Sequence, residues 1–143
     1  MPKTSELRPL LLDTHIWLWL VLGNEGLSPA SRSTVSGATS IGNLRIAAIT
    51  VWEVGMLVAR HRVSLGKPTL QWVKEAVAAS TVVVEPLSPD IAIESNELPD
   101  AFHADPADRM IVATARVTNA KLMTHDRQIL DYAARGHLTA VPA

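Results

Sequence analysis

No cysteine occurs in the 143 residues, which excludes disulfides, thiolate zinc sites and cysteine nucleophiles. That absence fits a reducing cytoplasm. Aromatic residues are scarce: four Trp, one Tyr and one Phe. The glycines form neither G-x-G-x-x-G nor Gly-Lys-Ser/Thr, so no phosphate-binding loop is present. No base-like His stands near a plausible Ser, so a serine-hydrolase reading has no support. With 13 basic and 14 acidic residues the net charge is −1, which gives no strong overall field for nucleic acid. Long apolar runs are missing too. Leu10–Leu22 resembles the apolar part of a signal peptide, but Asp13, Thr14 and His15 interrupt it and no small-residue cleavage site follows. Ile16–Leu22 falls well short of the roughly 20 residues that span a bilayer. A soluble, unprocessed, cytoplasmic chain is the expectation.

What is present is a folding composition, 48% apolar and 19% charged. The length predicts a single domain over residues 1–143. A chain of this size can bury about two-thirds of its unfolded surface. Strand and helix signals then alternate. Arg8–Asp13 reads as a buried strand through Leu10, Leu11 and Leu12, and Thr14–Leu22 as a helix ended by Gly23-Asn24-Glu25-Gly26. Ser28-Pro29 opens a second helix, to about Gly37. Arg45–Ile49 leans to strand. Thr50-Val51-Trp52-Glu53 has capping-box spacing and opens a helix to about Arg62. Lys67-Pro68-Thr69 opens another, to near Ser80, and Thr81–Glu85 is a β-branched strand. Ser88-Pro89-Asp90 starts a short helix to about Leu98, followed by a loop over Pro99–Ala104. Asp105-Pro106-Ala107-Asp108 begins a helix to Thr118 or Asn119. Lys121–Thr124 is a strand, His125–Ala134 a helix with Gly136 beyond its end, and Leu138–Val141 a last strand. Strands separated by helices imply crossover connections, a mainly parallel central sheet and a three-layer α/β/α fold.

Open parallel sheets place their active sites at the carboxyl ends of the strands, and the acids gather at such positions. Asp13 ends the first strand. Glu53 lies a turn into the helix after Arg45–Ile49, Asp105 and Asp108 begin a helix, and Asp126 follows Lys121–Thr124. Each has an ordinary alternative as a helix cap, or, for Glu53, as the second member of a capping box with Thr50. Together they ask for more. Like charges about 4 Å apart repel by roughly 4 kcal/mol at an effective dielectric of 20, so stability alone would not assemble them. A divalent cation offsets the repulsion. Oxygen ligands without Cys or a His cluster suit Mg²⁺ or Mn²⁺ rather than Zn²⁺. Such a centre suits phosphodiester hydrolysis, in which the metal activates a water and stabilises charge on the departing oxygen. With the five candidate acids set aside, 13 basic residues face nine acids, leaving +4 on the rest. Arg60, Arg62 and Lys67 follow the Glu53 helix, and Arg109 and Arg127 adjoin two of the acids, so they are candidates for holding a nucleic-acid backbone. Solvated helix ends are the ordinary reading of the same residues.

Four blocks carry a family resemblance. Leu10-Leu-Leu-Asp13-Thr14-His15, the Thr50-Val-Trp-Glu53 helix start, Asp105-Pro-Ala-Asp108-Arg-Met-Ile-Val-Ala-Thr-Ala115 and Leu122-Met-Thr124-His-Asp126 resemble the PIN domain. More narrowly, they resemble the VapC-type toxins of bacterial type II toxin–antitoxin systems. The blocks occur in the family's order, and the resemblance runs from about Leu10 to Val141. It implies a PIN fold and a Mg²⁺- or Mn²⁺-dependent endoribonuclease whose acids are Asp13, Glu53, Asp108 and Asp126. Asp13 and Asp108 would be the main metal ligands, with Glu53 and Asp126 completing the site directly or through water. Thr14 and Thr124 would orient carboxylates or water, Arg109 would support the site, and Asp105 belongs to a subset with Asp-Pro before the third acid. The resemblance also implies a homodimer and a cognate VapB-like antitoxin. That antitoxin would block the groove and would carry the contact with operator DNA.

Two rival readings remain open. Another metal-dependent phosphoryl hydrolase, a DNA nuclease or phosphatase, is one, although Asp13-Thr14-His15 lacks the second acid of an Asp-x-Asp phosphatase. A catalytically idle PIN-like binding protein is the other, although all four acids are retained. The five His show no metal-ligand spacing along a helix; His15 and His125 adjoin the acids and are candidates for meeting a substrate phosphate. Core packing is the expectation for most Trp, with Trp52 against the sheet. Trp17 and Trp19 point to different faces of their helix, so one of Trp17, Trp19 or Met56 is a candidate interface residue.

Overall fold

The computed structural model describes residues 8–23 and 26–143. Asn24 and Glu25 of the expected first turn therefore lie outside the described residues. Among these residues strands and helices alternate as β1 (Leu10–Leu12), α1 (Thr14–Leu22), α2 (Pro29–Ser40), β2 (Leu44–Ala47), α3 (Ala48–Ala59), α4 (Thr69–Ser80), β3 (Val83–Glu85), α5 (Pro89–Asn96), α6 (Pro106–Thr118), β4 (Lys121–Thr124), α7 (Arg127–Ala134) and β5 (Thr139–Pro142). The sheet order is β3-β2-β1-β4-β5, and every pairing is parallel. The expected three-layer α/β/α architecture is thus present.

Alternation along the strands divides the core into two layers. Leu10 and Leu12 of β1, Leu44 and Ile46 of β2 and Met123 of β4 join one buried cluster with residues of α1, α2, α3 and α4. Leu11 and Leu122 face the other layer, with Ile91 of α5, Ile111 and Val112 of α6, and Ile129 and Tyr132 of α7. The three leucines of β1 are all buried, as the central strand of a sheet covered on both faces requires. Trp17 is fully buried and meets Trp72 edge to face, with ring centroids 5.8 Å apart.

Element ends differ from the sequence expectation in a few places, each with a local cause. α2 continues past Gly37 to Ser40. One glycine weakens a helix by about 1 kcal/mol without ending it, and Thr39 and Ser40 donate back to the carbonyls of Val35 and Gly37. α3 begins at Ala48, directly after β2, so the Thr50–Glu53 capping box does not form; no side chain caps this helix. Both side chains are used elsewhere. Trp52 does not pack against the sheet but is 59% exposed. Gly23 and Asn119 close α1 and α6 in the left-handed region, at φ 71° and 55°. Among the described residues no helix is long and apolar enough to cross a membrane.

The two tryptophans make a direct test of this packing. Trp17→Ala should destabilise the protein by about 3–5 kcal/mol in chemical denaturation, from lost burial and the cavity left behind. Trp52→Ala should change stability by no more than about 0.5 kcal/mol.

Candidate active site

The parallel sheet sends every strand's carboxyl end to one edge, and the acids collect there. Asp13 leaves β1 and Asp126 follows β4. Glu53 lies on the helix that follows β2. α6 leads back into the start of β4, so its first turn, with Asp105 and Asp108, lies at the same edge as the other acids. Together Asp13, Glu53, Asp105, Asp108 and Asp126 line one pocket of about 390 Å³, with His15, Ile16, Trp19 and His125. All five candidate acids are thus brought together.

Hydrogen bonds sort the acids by role. Asp13 accepts from the backbone N–H of Thr14 at 2.8 Å through Oδ1 and from Thr124 Oγ1 at 2.7 Å through Oδ2. Asp105 caps α6, accepting from the N–H of Asp108 at 3.1 Å. Asp126 caps α7, accepting from the N–H groups of Gln128 and Ile129. Capping therefore accounts for three of the acids. It does not account for Glu53 or Asp108. Glu53 Oε1 accepts from Thr14 Oγ1 at 2.5 Å, and Thr14 Oγ1 lies 3.0 Å from Thr50 Oγ1. Asp108 sits in the first turn of α6 with its carboxylate turned toward His103, whose Nε2 lies 3.2 Å from Oδ2. Thr14 and Thr124, expected to orient carboxylates, each donate to one. Thr50, half of the expected capping box, instead meets Thr14 through its hydroxyl.

Burial and mutual repulsion shape the electrostatics. Burial pushes the Asp108 carboxyl up to about 7, and the charges of Asp13, Asp105, Asp126 and Glu53 all push the same way. Burial also raises Asp13, against the opposing hydrogen bonds from Thr124 and Thr14. It raises Glu53 against the bond from Thr14, with the Asp13 charge adding to the rise.

The basic residues are arranged differently from the sequence expectation. Arg109 turns its guanidinium away from the acids, donating from Nε to the Ser95 carbonyl at 2.8 Å and from Nη1 to the Phe102 and His103 carbonyls at 3.1 and 3.3 Å. It supports the site by fixing the loop before α6. Arg60 caps the far end of α3, seven residues beyond Glu53 and so about 10 Å along the axis. Lys67 pairs with Glu75 at 2.6 Å. Arg127, exposed in the first turn of α7, directly follows Asp126.

Two features escaped sequence reasoning. Trp19 and His125 meet at the pocket wall, with ring centroids 4.7 Å apart. His103 reaches the acids by a loop rather than by helical spacing. The visible signal was His-x-Asp ahead of the Asp-Pro helix start.

The sequence and the fold agree with known proteins. The PIN domain family matches residues 10–135. Ribonuclease VapC22 of Mycobacterium tuberculosis is 33% identical over 120 residues, covering 84% of this chain and 88% of the relative. A solved DNA-bound VapBC from Salmonella typhimurium superposes with a TM-score of 0.70 at 15% identity, covering 95% of this chain and 98% of that one. VapBC2 of Rickettsia felis, bound to a promoter DNA fragment, gives 0.64 at 17% identity over 94% and 98% of the two chains. These two likenesses speak for the fold. The chain belongs to the PIN domain family and, through the first relative, to its VapC group.

The raised carboxyls set the sign of a pH effect. Between its ordinary value of 3.8 and about 7, the folded state holds a proton on Asp108 that the unfolded chain has released. Stability therefore falls as pH rises through that window. With chelator present, the thermal midpoint should decline from about pH 5 to about pH 8. Asp108→Asn should flatten that decline, and at the upper pH it should melt no lower than the parent protein.

Proposed function

We propose that this protein is a metal-dependent endoribonuclease, the toxin of a type II toxin–antitoxin pair. It hydrolyses RNA phosphodiester bonds with Asp13, Glu53, Asp108 and Asp126 as its catalytic acids. The observation that carries the reading is the position of Glu53 and Asp108, which cap nothing and still stand among three other carboxylates. The identity to Ribonuclease VapC22 supports RNA as the substrate class. It and the VapBC likeness support a VapB-like antitoxin as partner. A homodimer working in the cytoplasm, and DNA contact only through the antitoxin, complete the reading.

The residues fit Mg²⁺ or Mn²⁺. One ligand atom each from His103, Asp108 and Asp126 lies within 4.8 Å of the others, and the oxygen-rich donor set suits a hard cation. Asp13 and Asp108 would be its principal carboxylates, with Glu53 and Asp126 beside them. When bound, the cation supplies positive charge at the scissile phosphate and lowers the pKa of a water.

The chain's own residues do the rest. Thr124 holds Asp13 and Thr14 holds Glu53, so both carboxylates are aimed before substrate arrives. Glu53 bonds Thr14 through Oε1, which leaves Oε2 as the atom to accept a proton from the attacking water. Burial raises its pKa, which makes the carboxylate a stronger base than an exposed one. His15, Trp19 and His125 form the non-acidic wall of the pocket, where the imidazoles can meet phosphate and the indole a base. Attack of water on phosphorus with cleavage of the P–O3′ bond frees a 3′-hydroxyl on one product and leaves a 5′-phosphate on the other.

Cleavage of a mixed structured RNA pool tests the reading. Cuts at a few sites should appear with Mn²⁺ or Mg²⁺ and vanish with EDTA. Asp108→Asn should lower the rate more than about a hundredfold, beyond what outer ligand partners contribute. Faster turnover of DNA or of a small phosphate ester than of RNA would overturn it.

A further inference from the structure

His103 is held with more care than a surface histidine needs. Arg109 clamps the carbonyls of Phe102 and His103. The Phe102 ring lies 4.4 Å from the His103 ring and 4.8 Å from that of Tyr132, which anchors the segment to the α6–α7 core. The imidazole is thereby aimed at the acids. Its Nε2 is closed off from solvent, makes no hydrogen bond, and yet stands 3.2 Å from Asp108 Oδ2. A buried polar atom without a partner calls for an explanation.

The surroundings supply one. One ligand atom each from His103, Asp108 and Asp126 lies within 4.8 Å of the others, so the three can converge on a single cation. On the other side of the ring, Nδ1 receives only a long contact from the N–H of Asp105, at 3.4 Å and open to solvent. A proton moved from Nε2 to Nδ1 frees the inner lone pair, and water takes over the Asp105 N–H.

We propose that His103 is a nitrogen ligand of the catalytic cation, sharing it with Asp108 and Asp126. The proposal rests on the metal-dependent reading above and names a ligand outside its four acids. Its consequence is selectivity. An imidazole among carboxylates makes the site less suited to Mg²⁺, which favours oxygen donors, and tilts it toward Mn²⁺. Arg109 then acts as a positioning residue through the loop it clamps.

Pulsed electron paramagnetic resonance on the Mn²⁺-loaded full chain tests this without relying on activity. The wild type should show nitrogen coupling to Mn²⁺, and the coupling should change to the ¹⁵N pattern when histidine is ¹⁵N-labelled. It should disappear in His103→Ala and persist in His15→Ala and His125→Ala, which removes the other imidazoles of the pocket. By calorimetry, His103→Ala should weaken Mn²⁺ about tenfold and Mg²⁺ by less. Absence of coupling in the wild type, or its survival in His103→Ala, overturns the proposal. Weaker Mn²⁺ binding without wild-type coupling also overturns it, leaving His103 to orient Asp108. A wild type that binds neither cation sinks the metal-dependent reading as well, so the two failures are told apart.

Discussion

The pairing of β4 beside β1 is the constraint on which the acidic edge depends. The chain moves outward from β1 through β2 to β3, then crosses back to lay β4 on the other side of β1. Crossovers on the two sides bury different faces of the sheet, so the connections part at the carboxyl ends of β1 and β4. A crevice opens at such a switch point. Asp13 and Asp126 leave from its two sides. The bond from Thr124 Oγ1 to Asp13 Oδ2, and that from Asp13 N–H to the Met123 carbonyl at 3.0 Å, tie the two strand ends together. Without that pairing Thr124 would have no carboxylate to hold, and Asp13 would be only the residue before a helix.

Capping and chemistry share residues here without conflict. An N-cap carboxylate is held by backbone N–H groups at a helix start, where the partial positive charge lowers the cost of its negative charge. Asp126 uses Oδ1 for both of its cap bonds. Its second oxygen can serve a ligand while the first serves the helix. Asp108 is the unlike member. It accepts no cap bond, its neighbours are carboxylates, and its carboxyl is pushed up to about 7. The first turn of α6 favours its charge and His103 Nε2 lies 3.2 Å from Oδ2, yet burial and the other carboxylates outweigh them, and a carboxyl perturbed in this way within a cleft marks a candidate functional site.

Much of this was legible in the sequence, for a definite reason. Buried parallel strands read as continuous apolar runs such as Leu10-Leu11-Leu12, and helix starts carry Pro and capping acids, so the alternation of elements and the position of the acids could be read directly. The misread parts depend on contacts distant along the chain. Thr50 and Glu53 have the spacing of a local capping box, but Thr14 competes for both side chains from 36 and 39 residues away. Trp52 was assigned to the core by its size, although the side of α3 it occupies meets solvent. Arg109 was assigned to the acids by adjacency, yet successive residues on a helix point about 100° apart, which sends its guanidinium toward α5 while Asp108 faces the pocket. His103 has no helical spacing to the acids, because a loop carries it to the site, and only its place two residues before Asp105 hints at it.

The charge balance of the pocket is the final link between fold and chemistry. Among the described residues no Lys or Arg forms an ion pair with Asp13, Glu53, Asp105, Asp108 or Asp126. Arg45 pairs with Glu85, Lys67 with Glu75, and Arg109 donates to backbone carbonyls. A structural cluster of acids would be expected to recruit an internal cation, as Arg116 does for Glu94 at 2.9 Å. Here the basic contact is His103, whose Nε2 lies 3.2 Å from Asp108 Oδ2, and not an arginine or lysine. A polyanionic substrate cannot supply a countercharge, since phosphate would add to the repulsion. A cation bound there would offset the repulsion that a phosphate group meets at these acids.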